Sequence, residues 1–272
     1  MASAPIHHHL NQTGQDVFTY ASWGLTFVLL AVAIQMGRKE RTPFYFMVVL
    51  SSMVAAFAEP LYDEGFSLYF YADHGLQTFF TAFDVPQPVW THSGYAILYG
   101  APAIYMVWRI GQGTLTRSGL LKVAAVEFLM SCTFEMIGIN AGTYTYWGPH
   151  VFRVLQYPIV IGVLETAQVM CFGIAAARLR ARARGPLDLM GIFVIFPVTF
   201  FGANFGAGAA VIVAIHAQNT NKTIVTLCTL VSIACAGLLI RLAASFLPEE
   251  APAAAPAATA EGSAEERMAA LA

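Results

Sequence analysis

Long apolar runs separated by short polar joints set the pattern of this chain. The runs fall at roughly 17–37, 44–62, 88–108, 119–139, 155–177, 189–215 and 223–246. A helix needs about 20 residues to cross about 30 Å of hydrocarbon, so the pattern predicts an all-α, polytopic membrane protein of seven helices. The joints carry an independent signal, because Lys and Arg gather on the cytoplasmic side of a membrane protein. With seven helices, one side collects Arg38, Lys39, Arg41, Arg109, Arg117, Lys122, Arg178, Arg180, Arg182, Arg184, Arg241 and Arg267, and the other holds only Arg153 and Lys222. That asymmetry predicts the N-terminus outside and the C-terminus inside, an orientation that requires an odd number of helices.

Composition agrees with the pattern. Of 272 residues, 57% are hydrophobic and 11% charged, more apolar surface than a soluble domain of this size buries. The expected organisation is an external tail over 1–16, a transmembrane domain over 17–246 with an external loop at 65–87, and a disordered cytoplasmic tail over 247–272, where Ala, Pro and Glu replace bulky apolar residues. The first sixteen residues lack Lys and Arg, so they lack the basic start of a cleaved signal peptide. His7, His8 and His9 read as a solvated polar tail, with metal binding as the alternative. Cys132, Cys171, Cys228 and Cys235 all fall inside apolar runs without a close-spaced pair, which indicates neither a metal centre nor a disulfide framework. No cofactor is implied.

Carboxylates are the candidate chemistry. Glu59, Asp63, Glu127, Glu135 and Glu165 lie within the apolar runs or at their ends, and no Lys or Arg sits at mid-membrane depth to pair with them. Ionisable groups in such places are costly and mark function. Glu59 and Asp63 are four residues apart, about 40° around a helix, and Pro60 removes a backbone hydrogen bond between them. The stretch from Cys132 to His150 carries Glu135 out of its helix into a glycine-punctuated aromatic exit. His92, Tyr95 and Tyr99 share a helix face, a pattern that serves packing as readily as ligand binding. The loop over 65–87 is aromatic and free of cations, and reads as a lid over the helix ends or as an interfacial anchor. Gly202, Gly206 and Ala210 form a small-residue ridge suited to close helix contact, while Asn204 within it has no packing explanation.

Glu135-x-x-Gly138-x-x-x-Gly142-x-Tyr144-x-Tyr146, followed by Tyr157-Pro158, resembles an element of the integral-membrane carotenoid hydratases of bacteria. The likeness spans about thirty residues and implies acid-assisted addition of water to a polyene without a redox cofactor. The plan of seven helices with acids near one membrane face is also similar to the small membrane terpene cyclases, a likeness that extends only to Glu59 and Glu135 as candidate acids. Neither resemblance accounts for the Glu59-Pro60-x-x-Asp63 element or the aromatic loop after it.

The expected function is non-redox acid–base chemistry, cyclisation or hydration, on an isoprenoid or similar lipid in a bacterial-type inner membrane. The cavity would be bounded by the second to fifth helices. Glu135, Glu59 and Asp63 are the expected catalytic residues. Substrate would be bound by His92, Tyr95, Asn140, Tyr144, Tyr146, Trp147, Glu165 and Asn204. Membrane lipids are the expected partners, nucleic acid is excluded, and a homo-oligomer is compatible. Two alternatives stay open: a lipid or proton-coupled transporter, and an accessory subunit of a membrane complex.

Overall fold

The computed structural model describes residues 3–73 and 75–250. It is mostly helical. Five helices are long and apolar enough to cross a membrane: α1 (Gln12–Glu40), α2 (Phe44–Phe66), α5 (Ile159–Arg182), α6 (Pro186–Ala207) and α8 (Lys222–Ser245). Two further rods lie between α2 and α5. The first, α3, covers residues 91–111 in consecutive pieces of 5, 5 and 11 residues, the middle one, Ala96–Gly100, wound as a π-helix. The second, α4 (Arg117–Asn140), has 24 residues, but Lys122, Glu127 and Glu135 interrupt its apolar character. After Gly208, α6 continues as α7 (Ala209–His216).

Helix ends follow local chemistry. Asn11, Thr116 and Asn221 each accept a hydrogen bond from the backbone N–H three residues on, at 3.2, 3.1 and 3.0 Å, capping α1, α4 and α8. Pro60 cannot donate to a helical carbonyl, and the turn just before it, Ala56–Ala58, tightens to a 3-10 helix.

At one end of the bundle Glu40 and Tyr45 meet Arg180, while Arg178 donates to the Phe246 carbonyl. That joins the end of α1 and the start of α2 to the ends of α5 and α8. At the opposite end the Asn11 N–H donates to the Gly142 carbonyl at 3.0 Å, and Gln15 bonds the backbone of Gly75 and Gln77. The helices therefore alternate in direction.

The second end is not all helical. β1 (Leu68–Phe70) pairs antiparallel with β4 (Tyr144–Tyr146), with Leu68 opposite Tyr146 and Phe70 opposite Tyr144. β2 (Thr78–Ala82) and β3 (Val85–Pro88) form a hairpin, and β5 (Arg153–Val154) pairs with β6 (Tyr157–Pro158). The aromatic loop expected over 65–87 is thus a small ordered cap. Its β1 and β3 are buried, whereas β2 faces outward.

The centre of the bundle is α5, which packs against α3, α4, α6 and α8. Its most apolar window is 78% buried, against 22% for α8. The small-residue ridge behaves otherwise than expected: a Cβ on Gly202 would meet nothing within 4 Å, so none of the described helices packs against it. Tight packing sits at Gly208, where a Cβ would lie 3.0 Å from Leu164 Cδ1. The expected tail over 247–272 lies outside the described residues from 251 onward.

Candidate active site

Four helices and the cap converge on one cavity between the centre of the bundle and the β1–β4 ribbon. Glu59 and Tyr62 come from α2, Tyr95 and Tyr99 from α3, Phe134 and Glu135 from α4, and Glu165 from α5. Leu68 and Phe70 of β1, Tyr144 and Tyr146 of β4, and Trp90 close it. The free volume is about 30 Å³, room for a water molecule or two.

Glu165, on the most buried helix, is the hub. Tyr62 and Tyr99 each donate to its Oε1 at 3.3 Å, while Tyr157, at 3.4 Å, and Ser131 donate to its Oε2. Glu59 accepts from Tyr95, and Glu135 accepts from Tyr146 at 3.1 Å. Among the described residues, three carboxyl groups are therefore served by hydroxyls alone, and no Lys, Arg or His lines the cavity. Three ionised carboxylates in such surroundings would repel one another with little water to screen them.

The glycines of the Cys132-to-His150 stretch have a shared reason. Tyr144 folds back over α4, and a Cβ at Gly138 would lie 2.5 Å from its ring. Gly142 has φ +70, the left-handed conformation that glycine adopts without a Cβ penalty. Together they end the helix and return Tyr144 and Tyr146 towards Glu135.

The other expected site residues lie apart from the cavity. Asp63 is buried against the cap, accepting from Gln87 Nε2 at 2.5 Å, and its Oδ1 has no hydrogen-bond partner among the described residues. His92 faces an outer groove, with its Nδ1 2.8 Å from the Met53 carbonyl and its ring edge-on to Phe57 and Phe79. Asn140 is exposed and donates to the Met136 and Leu155 carbonyls. Trp147 is half-buried, with its backbone N–H bonded to the Ser67 carbonyl. Asn204 is buried in the π-wound turn Gly202–Ala207, donating to the Phe200 carbonyl. None of these five lines the cavity.

Tyr62 and Ser131 are neighbours in the cluster that residue patterns did not single out. Tyr62 stands three residues after Glu59 and Ser131 four before Glu135, spacings that share a helix face. Tyr157, of the Tyr157-Pro158 pair, opens β6, which runs directly into α5, and its hydroxyl turns to Glu165 on that same helix.

Outside the long helices, the turn 147–156 is held by charge and burial. Arg153 donates to the carbonyls of Tyr146, Gln156 and Gly148 at 2.7, 2.9 and 3.1 Å. His150 is 8% exposed and donates from Nε2 to the Phe66 carbonyl at 2.8 Å. Burial above all, helped by the charges of Arg153 and His216, pushes its imidazole down to about 4 against the upward pull of that hydrogen bond. At the N-terminus, His8 stacks on Tyr71 at 3.9 Å and His9 lies 3.2 Å from Asp73. No cluster of three or more His, Cys, Asp or Glu suited to a metal ion occurs among the described residues.

No protein-family model matches the chain, and neither do curated proteins or solved structures.

Proposed function

We propose that the protein is a seven-span inner-membrane enzyme, N-terminus outside, that performs non-redox acid–base chemistry on the alkene of an isoprenoid or similar lipid. The observation that carries this reading is the set of three buried carboxyls, Glu59, Glu135 and Glu165, bonded among the described residues only to hydroxyls, in one aromatic-walled cavity. A carboxylic acid in such a place is a proton donor to a weakly basic carbon. Trp90 and the ring faces of Tyr95 and Tyr144 stabilise the cation that results. A second carboxylate then takes a proton from an adjacent carbon, completing cyclisation or isomerisation, or from a water that adds to the cation, completing hydration. Glu135 is the acid in this reading and Glu165, with its four hydroxyl donors, the base.

An isoprenoid does not fit a space sized for one or two waters. The wall not built from a long helix is the β1–β4 ribbon, so substrate entry requires the cap to yield. The test is turnover of prenyl alkenes by the purified protein in deuterated water. Deuterium should appear in the product, and Glu135→Gln and Glu165→Gln should each lower turnover at least 100-fold while the protein keeps its melting temperature. Turnover that survives both substitutions overturns the assignment.

The small cavity favours a second reading, a proton-coupled transporter in which the carboxyl cluster is the proton site. Vesicles containing the protein would then show substrate-dependent proton flux with no chemical change in the substrate.

A further inference from the structure

Another buried carboxylate, Glu127, lies outside the cavity of the cluster. It projects from α4 into a separate groove of about 650 Å³ between α3 and α4, within the size range of ligand clefts. Glu127 is 3% exposed, yet it forms no hydrogen bond or ion pair with any described residue. A buried polar group without a partner is expensive, which points to a ligand group that supplies one.

Two cations line the same groove. Arg109 is held in place by Nε to Thr114 Oγ1 at 2.7 Å and Nη1 to Tyr105 OH at 3.1 Å, all neutral partners. Lys122 is exposed, and neither cation forms a salt bridge among the described residues. Between this charged end and Glu127 run five residues of α4, about 7.5 Å of helix. Thr114, Thr116 and Ser118 add hydroxyls to the lining, and Pro102, Val123, Val126 and Met130 give it an apolar wall. Val126 and Met130 are exposed, so on a membrane-embedded α4 the groove opens sideways to hydrocarbon. A ligand that fits has an anionic head, a hydrogen-bonding group one layer deeper, and apolar chains.

We propose that this groove is a binding site for an anionic diacyl phospholipid. Its phosphate lies between Arg109 and Lys122, an ester carbonyl accepts from the Glu127 carboxyl group, and the acyl chains lie along Val126 and Met130. Basic pockets between membrane helices recognise headgroups in this way. The proposal is independent of the chemistry assigned to the Glu165 cluster.

The full-length protein in detergent would be titrated with phosphatidylglycerol, phosphatidylcholine and inorganic phosphate, reading bound lipid by native mass spectrometry and melting temperature. Phosphatidylglycerol should be retained at about one per chain and raise the melting temperature by several degrees, and the other two should do neither. Lys122→Glu, at an exposed position, and Arg109→Gln/Lys122→Gln should lower retention at least tenfold. Glu127→Leu should weaken it, while Glu127→Gln, which keeps a donor, should not. Lys39→Gln/Arg184→Gln, elsewhere on the same charged end, should leave it unchanged. Equal retention of phosphatidylcholine, an equal shift by free phosphate, full retention by Lys122→Glu, or a lipid-free dimer with the groove protected would each overturn the proposal.

Discussion

Individual side chains carry most of the site, and Gly138 shows how. Glycine is required there by what lies above it, not by its own backbone, because the Tyr144 ring occupies the space a Cβ would take. Gly138→Ala must push Tyr144 away from Glu135, an overpacking effect of about 1–3 kcal/mol. Its melting temperature should fall, while Gly24→Ala, inside α1 with nothing within 4 Å, should raise it slightly, as alanine favours a helix interior. His150 supplies the matching prediction for pH. Its folded-state value of about 4 lies below the ordinary 6.5, so the folded protein binds fewer protons than the unfolded chain between those values. The stability it contributes is therefore complete above about pH 6.5 and is lost as pH falls towards 4, by up to about 3 kcal/mol. His150→Gln keeps a donor for the Phe66 carbonyl but does not titrate. Thermal denaturation between pH 4 and 7 should show a shallower slope for that variant than for the parent.

Among the elements, the turn 147–156 and the β1–β4 ribbon decide how the cavity is closed. Arg153 looks from its position like a stray cation on the cation-poor side, but its guanidinium binds four carbonyls between Tyr146 and Gln156. Lysine carries one compact ammonium and cannot reproduce that planar fork. Arg153→Lys should destabilise by about 1–3 kcal/mol and raise hydrogen exchange in residues 144–158 more than in α5. Equal protection in both variants would show that the turn holds itself. The strands themselves, Leu68–Phe70 and Tyr144–Tyr146, were not legible in advance. Three residues with mixed aromatic character have no period to read, and their pairing joins positions some seventy-six apart in the chain.

For the whole molecule, the alternating helix directions place the cap at one end and the Glu40–Arg180 tie at the other. Seven passes follow if α3 and α4 cross the bilayer beside the five apolar helices. Cysteine labelling in intact cells tests this. Thr81→Cys in the cap should react with an impermeant reagent, and Gln112→Cys between α3 and α4 should react only after permeabilisation. The same result at both positions would exclude an odd number of passes between them.

The order of apolar runs by itself determined that this chain is built of long apolar helices, and the isolated acids within those runs marked the candidate site, because burying charge among apolar groups is costly whatever the fold. Which acids act together was a matter of tertiary structure alone. Glu59 and Asp63 are neighbours on one helix, yet Glu59 meets the cavity and Asp63 meets Gln87 of the cap. Glu127 and Glu135 share α4 and face different spaces. A helix period gives the angle between two side chains, but what each one touches depends on the neighbouring helix or strand that packs there. Only the packing of α2 to α5 under the β1–β4 ribbon placed Glu165 at the centre, with hydroxyls from four separate elements around it.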